Sequence, residues 1–175
     1  MANYREKLSH IKAFVFDIDG VLSLLTINLN NNGIPCRTVN LRDGYAIQLA
    51  IKLGYKIGII SGSNSVDYIP RLTGLGVPKE DIYLNSKSKM ESYYTFKEKY
   101  GLSDSEIMYM GDDIPDMEVM KIVGVPVCPS DAASDIKAIS SYISHKNGGE
   151  GCVRDVIEQT LRLHDNWMKA DAYVW

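Results

Sequence analysis

Short apolar runs recur along the chain at residues 13–16, 56–60, 82–84, 107–110 and 125–128. Unbroken runs of that length predict strands buried on both faces of a parallel sheet. Amphipathic stretches separate them. Tyr45, Ala46, Leu49, Ala50 and Leu53 keep helical spacing and stop at Gly54, a residue that commonly ends helices. Residues 66–72, 90–100, 117–122 and 153–163 predict further helices. Strands alternating with helices predict βαβ units, hence an α/β fold built on a doubly wound parallel sheet. One segment breaks the pattern. Over residues 23–41, two alternating runs flank Asn30-Asn31-Asn32-Gly33, which predicts a β-hairpin over the mouth of the first strand. No linker, repeat or low-complexity tract interrupts residues 1–175, so one domain is expected, with a carboxyl-terminal tail over 164–175.

Composition narrows this only slightly. At 175 residues and 45% hydrophobic, the chain fits a single globular domain with a sizeable core. A net charge of -3 argues against a nucleic-acid partner, which is normally met by a strong Lys/Arg excess. The start lacks the apolar segment of a signal peptide, and no apolar run is long enough to span a bilayer. A cytoplasmic protein without membrane contact is expected. Cys36, Cys128 and Cys152 are odd in number and scattered, which fits neither a disulfide framework nor a zinc site.

Chemistry enters at the strand ends. Asp17 and Asp19 follow the first apolar run and lead into Gly20; ligands bind at this edge of open α/β sheets. An Asx-type turn is the simpler reading of Asp-x-Asp-Gly taken alone. A second acidic group, Gly111-Asp112-Asp113-Ile114-Pro115-Asp116, follows the 107–110 run. In a right-handed doubly wound sheet these strand ends share an edge, so Asp112 can face Asp17, and hard oxygen ligands suit magnesium. Asp113 before Ile114-Pro115 can instead cap the next helix. Ser61 ends the 56–60 run ahead of Gly62 and is placed to hold an anion, although Ser63 or Asn64 can serve as a plain cap there. Lys89 can bring positive charge to a phosphoryl group, with Lys87 as its rival.

Asp17-x-Asp19, Ser61, Lys89 and Gly111-Asp112-Asp113-x-x-Asp116 together resemble the motif series of the haloacid dehalogenase superfamily, over nearly the whole chain. Asn40-x-Arg42-Asp43-Gly44 and Gly148-Gly149-x-Gly151-x-x-Arg154 are similar to the small phosphatases of 3-deoxy-D-manno-octulosonate 8-phosphate within it. The resemblance implies a Rossmann-like core, magnesium dependence and phosphomonoester hydrolysis through an aspartyl-phosphate. It implies Asp17 as nucleophile and Asp19 as acid and base, with Asp17, Asp19 and Asp112 holding the metal and Asp113 and Asp116 as supports or further ligands. It implies Ser61, Gly62, Lys89, Arg42, Gly149 and Arg154 as substrate contacts. Arg42 can alternatively form an ion pair with Asp43.

The gaps between motifs leave room for the hairpin but not for a cap domain. An open site of this kind needs walls from elsewhere, and the resemblance implies a homotetramer in which the carboxyl-terminal segment reaches a neighbouring active site. Relatives acting on nine-carbon sugar-acid phosphates share these motifs, so the eight-carbon preference rests on residues 40–44. Three features depart from the family pattern: Ser23-Leu24-Leu25 after the first motif, Ser63 where arginine is common, and the aromatic tail over 167–175. Receiver domains of signalling proteins use similar residues in another order, with the acidic pair ahead of the phosphorylated aspartate. A silent oligomerisation module is disfavoured because every catalytic position is filled.

Overall fold

The structure is a computed structural model that describes residues 4–173. In chain order it comprises α1 (Tyr4–Leu8), β1 (Ala13–Phe16), β2 (Asn28–Leu29), β3 (Pro35–Cys36), α2 (Leu41–Lys52), β4 (Lys56–Ile60), α3 (Ile69–Gly74) and β5 (Ile82–Tyr83). It continues through α4 (Lys89–Lys99), β6 (Ile107–Met110), α5 (Met117–Met120), β7 (Val125–Cys128), α6 (Ser134–Ile139), β8 (Tyr142–Ile143) and α7 (Cys152–Leu163). Six strands form a parallel sheet in the order β5-β4-β1-β6-β7-β8. The doubly wound α/β reading therefore holds, and β2 and β3 pair antiparallel as the expected hairpin. No cap domain is present among the described residues.

The two-residue side-chain period of a strand sorts the core into two layers. Phe14, Phe16, Met108 and Met110 pack with residues of α2, α3 and α7, whereas Ala13, Val15, Ile107 and Tyr109 pack with residues of α4, α5 and α6. Complete burial of Phe14 and Phe16 contributes about 1.5–3 kcal/mol each. The central strands are buried at every position, which explains why they read as continuous apolar runs.

Differences from the predicted elements have local causes. Helix α2 begins at Leu41, four residues before the periodic stretch, because the Asn40 side chain accepts the N–H groups of Arg42 and Asp43. The predicted helix over 66–72 divides into a 3-10 turn at Val66–Tyr68 and α3, with Pro70 in its first turn. Elements α1, α6 and β8 are too short to show a period.

Register brings the chemistry together. Phe16 aligns with Ile59 of β4 and Met110 of β6, so the chain leaves three adjacent strands at one level, into Asp17, Ser61 and Asp112. The tail packs on its own chain: Tyr45 Oη donates to the Ala172 carbonyl at 2.5 Å and Trp167 covers the Arg154 guanidinium. Residues 174 and 175 of the expected tail lie outside the described residues. No helix among them is long and apolar enough to cross a membrane.

Candidate active site

A cleft of about 270 Å³ opens at the carboxyl ends of β1, β4 and β6, lined by Asp17, Asp19, Ser61, Gly62, Lys89 and Asp112. Asp17 is buried, its N–H donates to the Met110 carbonyl at 3.1 Å, and its Oδ1 accepts the Ile18 N–H at 2.6 Å. From the start of α4, the Lys89 ammonium donates to Asp17 Oδ2 and to Asp116 Oδ1, each at 2.7 Å. Lys89 is buried and Lys87 exposed, so geometry selects between these rivals.

Three carboxylates share that one cation. Oxygens of Asp17, Asp112 and Asp116 lie within 4.8 Å of one another. Burial pushes the Asp17 pKa up, the Asp116 charge adds to this, and Lys89 opposes both. Asp112 is pushed up to about 8 by burial and by the charges of Asp17 and Asp116. Burial works against the Lys89 ammonium, yet the two carboxylates outweigh it and raise its pKa.

The hydrogen bonds distinguish the three carboxylates. Asp116 Oδ1 accepts Lys89 and the Tyr109 hydroxyl at 2.6 Å; its Oδ2 accepts the N–H groups of Asp112 and Asp113 at 3.2 and 3.4 Å. Donors on both oxygens leave Asp116 less free than Asp112 to take a metal, and they hold it against Lys89. The buried Asp112 carboxylate has no donor among the described residues. A buried anion without donors is costly unless a cation meets it, and hard oxygens suit magnesium. Asp17 and Asp112 thus fit a divalent cation. Asp113 is exposed, and its side chain accepts the Ile114 N–H at 2.8 Å, as a helix cap does.

Ser61 is buried, with its Oγ 2.9 Å from that of Ser63. Three other expected contacts stand elsewhere. Arg42 is exposed and forms no ion pair among the described residues, including the one considered with Asp43. Arg154 donates from Nε to Glu158 at 2.7 Å and stacks over Trp167 at 4.5 Å, outside the cleft. Gly149, at φ +69°, donates its N–H to the Val21 carbonyl at 2.8 Å and accepts Asn40 Nδ2 at 3.0 Å. The neighbouring Gly148 packs so closely that a Cβ would overlap the Gly20 carbonyl. This glycine loop therefore braces the turn after Asp19.

Two residues were missed from the sequence. Tyr109 sits within an apolar run, and nothing marked its hydroxyl as a partner of Asp116. Arg37 grips Asp19 from the hairpin, with Nε 2.7 Å from Oδ1 and Nη2 3.0 Å from Oδ2. Arg37 carries the one charge between Gly20 and Leu41, and that isolation was a signal. A larger cavity of about 740 Å³ lies at the opposite edge of the sheet, beside Lys12, Tyr55 and His164, away from the converging carboxylates.

The pattern of the haloacid dehalogenase-like hydrolases matches residues 79–157. The chain is 32% identical to the 3-deoxy-D-manno-octulosonate 8-phosphate phosphatase KdsC of Salmonella typhimurium over 155 residues, 89% of this chain and 81% of the relative. The crystal structure of the Yersinia pestis 3-deoxy-D-manno-octulosonate 8-phosphate phosphatase superposes with a TM-score of 0.89 at 28% identity, covering 93% of this chain and 87% of that one. The Moraxella catarrhalis 3-deoxy-D-manno-octulosonate 8-phosphate phosphatase, solved with magnesium ion, phosphate ion and a KDO molecule, superposes at 0.88 with 30% identity, covering 94% and 93%. With the motif residues gathered at one sheet edge and no cap domain over them among the described residues, the chain belongs to the haloacid dehalogenase-like hydrolase family, among its capless phosphatases.

Proposed function

We propose that this phosphatase is magnesium-dependent and hydrolyses 3-deoxy-D-manno-octulosonate 8-phosphate to the free sugar acid and phosphate, through a phosphoryl group carried on Asp17. The observation that carries the reading is the buried Asp17–Lys89 pair at 2.7 Å beside the donorless Asp112. Substrate identity is supported by the relatives named for that reaction.

Lys89 and the Ser61 hydroxyl hold the transferring phosphoryl group. An Asp17 oxygen attacks phosphorus, the bond to the ester oxygen breaks, and Asp19 gives that oxygen a proton. A water then gives its proton to Asp19 and attacks phosphorus. The bond to Asp17 breaks, phosphate leaves and the Asp17 carboxylate is restored. Magnesium, held by Asp17, Asp112 and the Asp19 carbonyl, supplies positive charge to the phosphoryl oxygens when bound. Gly62 continues the loop after Ser61 and borders the phosphoryl position. Asp116 and Tyr109 keep Lys89 aimed.

The homotetramer belongs to the same reading. Leu25, Leu29, Ile34 and Leu41 are large apolar side chains exposed on and beside the hairpin, and clustered apolar surface marks an interface. Neighbouring subunits then wall the open cleft, where Arg42 of an adjoining chain can meet the substrate carboxylate.

Phosphate release should be compared among eight-carbon and nine-carbon keto-deoxy sugar-acid phosphates and hexose phosphates, with and without magnesium. The eight-carbon compound should be preferred and magnesium required. Preference for a nine-carbon or hexose phosphate overturns the substrate; equal release without divalent metal overturns the metal dependence.

A further inference from the structure

Arg37 is a lone charge in a neutral stretch from Gly20 to Leu41, yet its side chain is only 6% exposed. An isolated arginine on a surface hairpin ordinarily extends into water. This one turns inward. Nε and Nη2 take the two Asp19 oxygens as a fork, Nη2 reaches Ser63 Oγ at 3.2 Å, and Nη1 faces Asp67 at 3.5 Å. Bidentate, charge-assisted pairs of this kind are strong and directional.

The arginine also stands on a fastened base. Thr38 Oγ1 accepts the Leu24 N–H at 3.0 Å, and the Thr38 carbonyl accepts the Tyr68 hydroxyl at 3.1 Å. Asp19, by contrast, has little else to fix it. Its one other side-chain partner among the described residues is Ser23 Oγ at 3.4 Å, a marginal contact. Gripped by Arg37, Asp19 still lines the cleft with Asp17 and Ser61. The grip holds the carboxylate in the site rather than withdrawing it.

We propose that Arg37 is a positioning residue: from the hairpin it fixes the Asp19 side chain toward the cleft, where Asp19 takes the proton when water displaces the phosphoryl group from Asp17. This rests on the acid–base reading of Asp19 given above. In that half-reaction the water proton moves to an Asp19 oxygen, the water oxygen bonds to phosphorus, and the Asp17–phosphorus link opens with its electron pair returning to Asp17. Through Ser63, which is hydrogen-bonded to Ser61, the same guanidinium ties the hairpin to the loop after β4. The hairpin is thereby part of the reacting assembly as well as exposed apolar surface.

Rapid-quench kinetics on the magnesium-loaded enzyme separate formation of the phosphoryl-enzyme from its hydrolysis. In Arg37→Gln, hydrolysis should slow by about tenfold or more, since misaligning a reacting group by an ångström can remove that much. Formation, in which the same Asp19 gives its proton to the ester oxygen, should slow as well, with KM little changed. Arg37→Lys, which keeps the charge but loses the fork, should give an intermediate hydrolysis rate, and it decides the matter if Arg37→Gln does not fold. Hydrolysis at the parent rate overturns the proposal and leaves Arg37 as a hairpin fastener. A loss confined to formation and KM also overturns it and points to direct contact with substrate. Asp19→Asn is measured in parallel: if it slows neither half-reaction, the acid–base reading itself fails, whereas a slow Asp19→Asn beside a normal Arg37→Gln sinks the positioning role alone.

Discussion

Replacing Asp17 with asparagine should make the metal-free protein more stable above neutral pH while abolishing turnover. The Asp17 carboxyl is pushed from its ordinary 3.8 up to about 7, so the native state prefers it protonated. Between those values the folded chain holds a proton that the unfolded chain has released, and stability falls as pH rises. A shift of that size is worth up to about 4 kcal/mol, at roughly 1.4 kcal/mol for each pH unit. The loss is absent below about pH 4 and complete above about pH 7 to 8. For a chain of this length it lowers the melting temperature by very roughly 10 °C. Asparagine keeps the shape, removes the charge and relieves Asp112, while Lys89 retains Asp116 as its partner. Melting curves from pH 4 to 8 after chelation should therefore converge at low pH and separate at high pH, the variant melting higher. Magnesium should raise the parent's melting temperature, by an amount matching about 2.7 kcal/mol at a hundredfold excess over its Kd, and should raise the variant's far less. Parallel curves, or a variant that melts lower at pH 8, would refute the picture of uncompensated buried charge.

Two further substitutions test the supports. Lys89→Gln strands Asp17 and Asp116 without their shared cation, which should lower kcat/KM by about a hundredfold or more and destabilise the metal-free chain by about 3–5 kcal/mol; steady-state kinetics and denaturant melts read both, and near-parent activity contradicts the role. Gly148→Ala places a methyl group against the Gly20 carbonyl, so the loop after Asp19 must shift and activity should fall at least about tenfold with the fold retained; parent activity with an unshifted fold by circular dichroism contradicts the bracing role of the glycine loop.

Much of this arrangement could be read from residue order. Strands buried on both faces leave uninterrupted apolar runs, and the first one or two residues past each run supply the groups at the shared edge: Asp17, Ser61 and Asp112. Short elements escaped because a two-residue strand such as β8 cannot show alternation. Side-chain partnership was harder. Whether Asp116 is a ligand or a support depends on Tyr109, and the fate of Asp19 on Arg37, both set by the packing of separate segments. Arg42, Gly149 and Arg154 were assigned from motif resemblance; within one chain, Arg154 instead stacks between Tyr45 and Trp167 of its own fold.

The central claim is that Asp17 carries the phosphoryl group. Acid quenching of the magnesium-loaded enzyme during turnover of the eight-carbon sugar-acid phosphate, followed by peptide mass spectrometry, tests it directly. The account predicts a phosphoryl adduct on Asp17 that is absent from Asp17→Asn. An adduct on another residue, or undiminished turnover by Asp17→Asn, contradicts it.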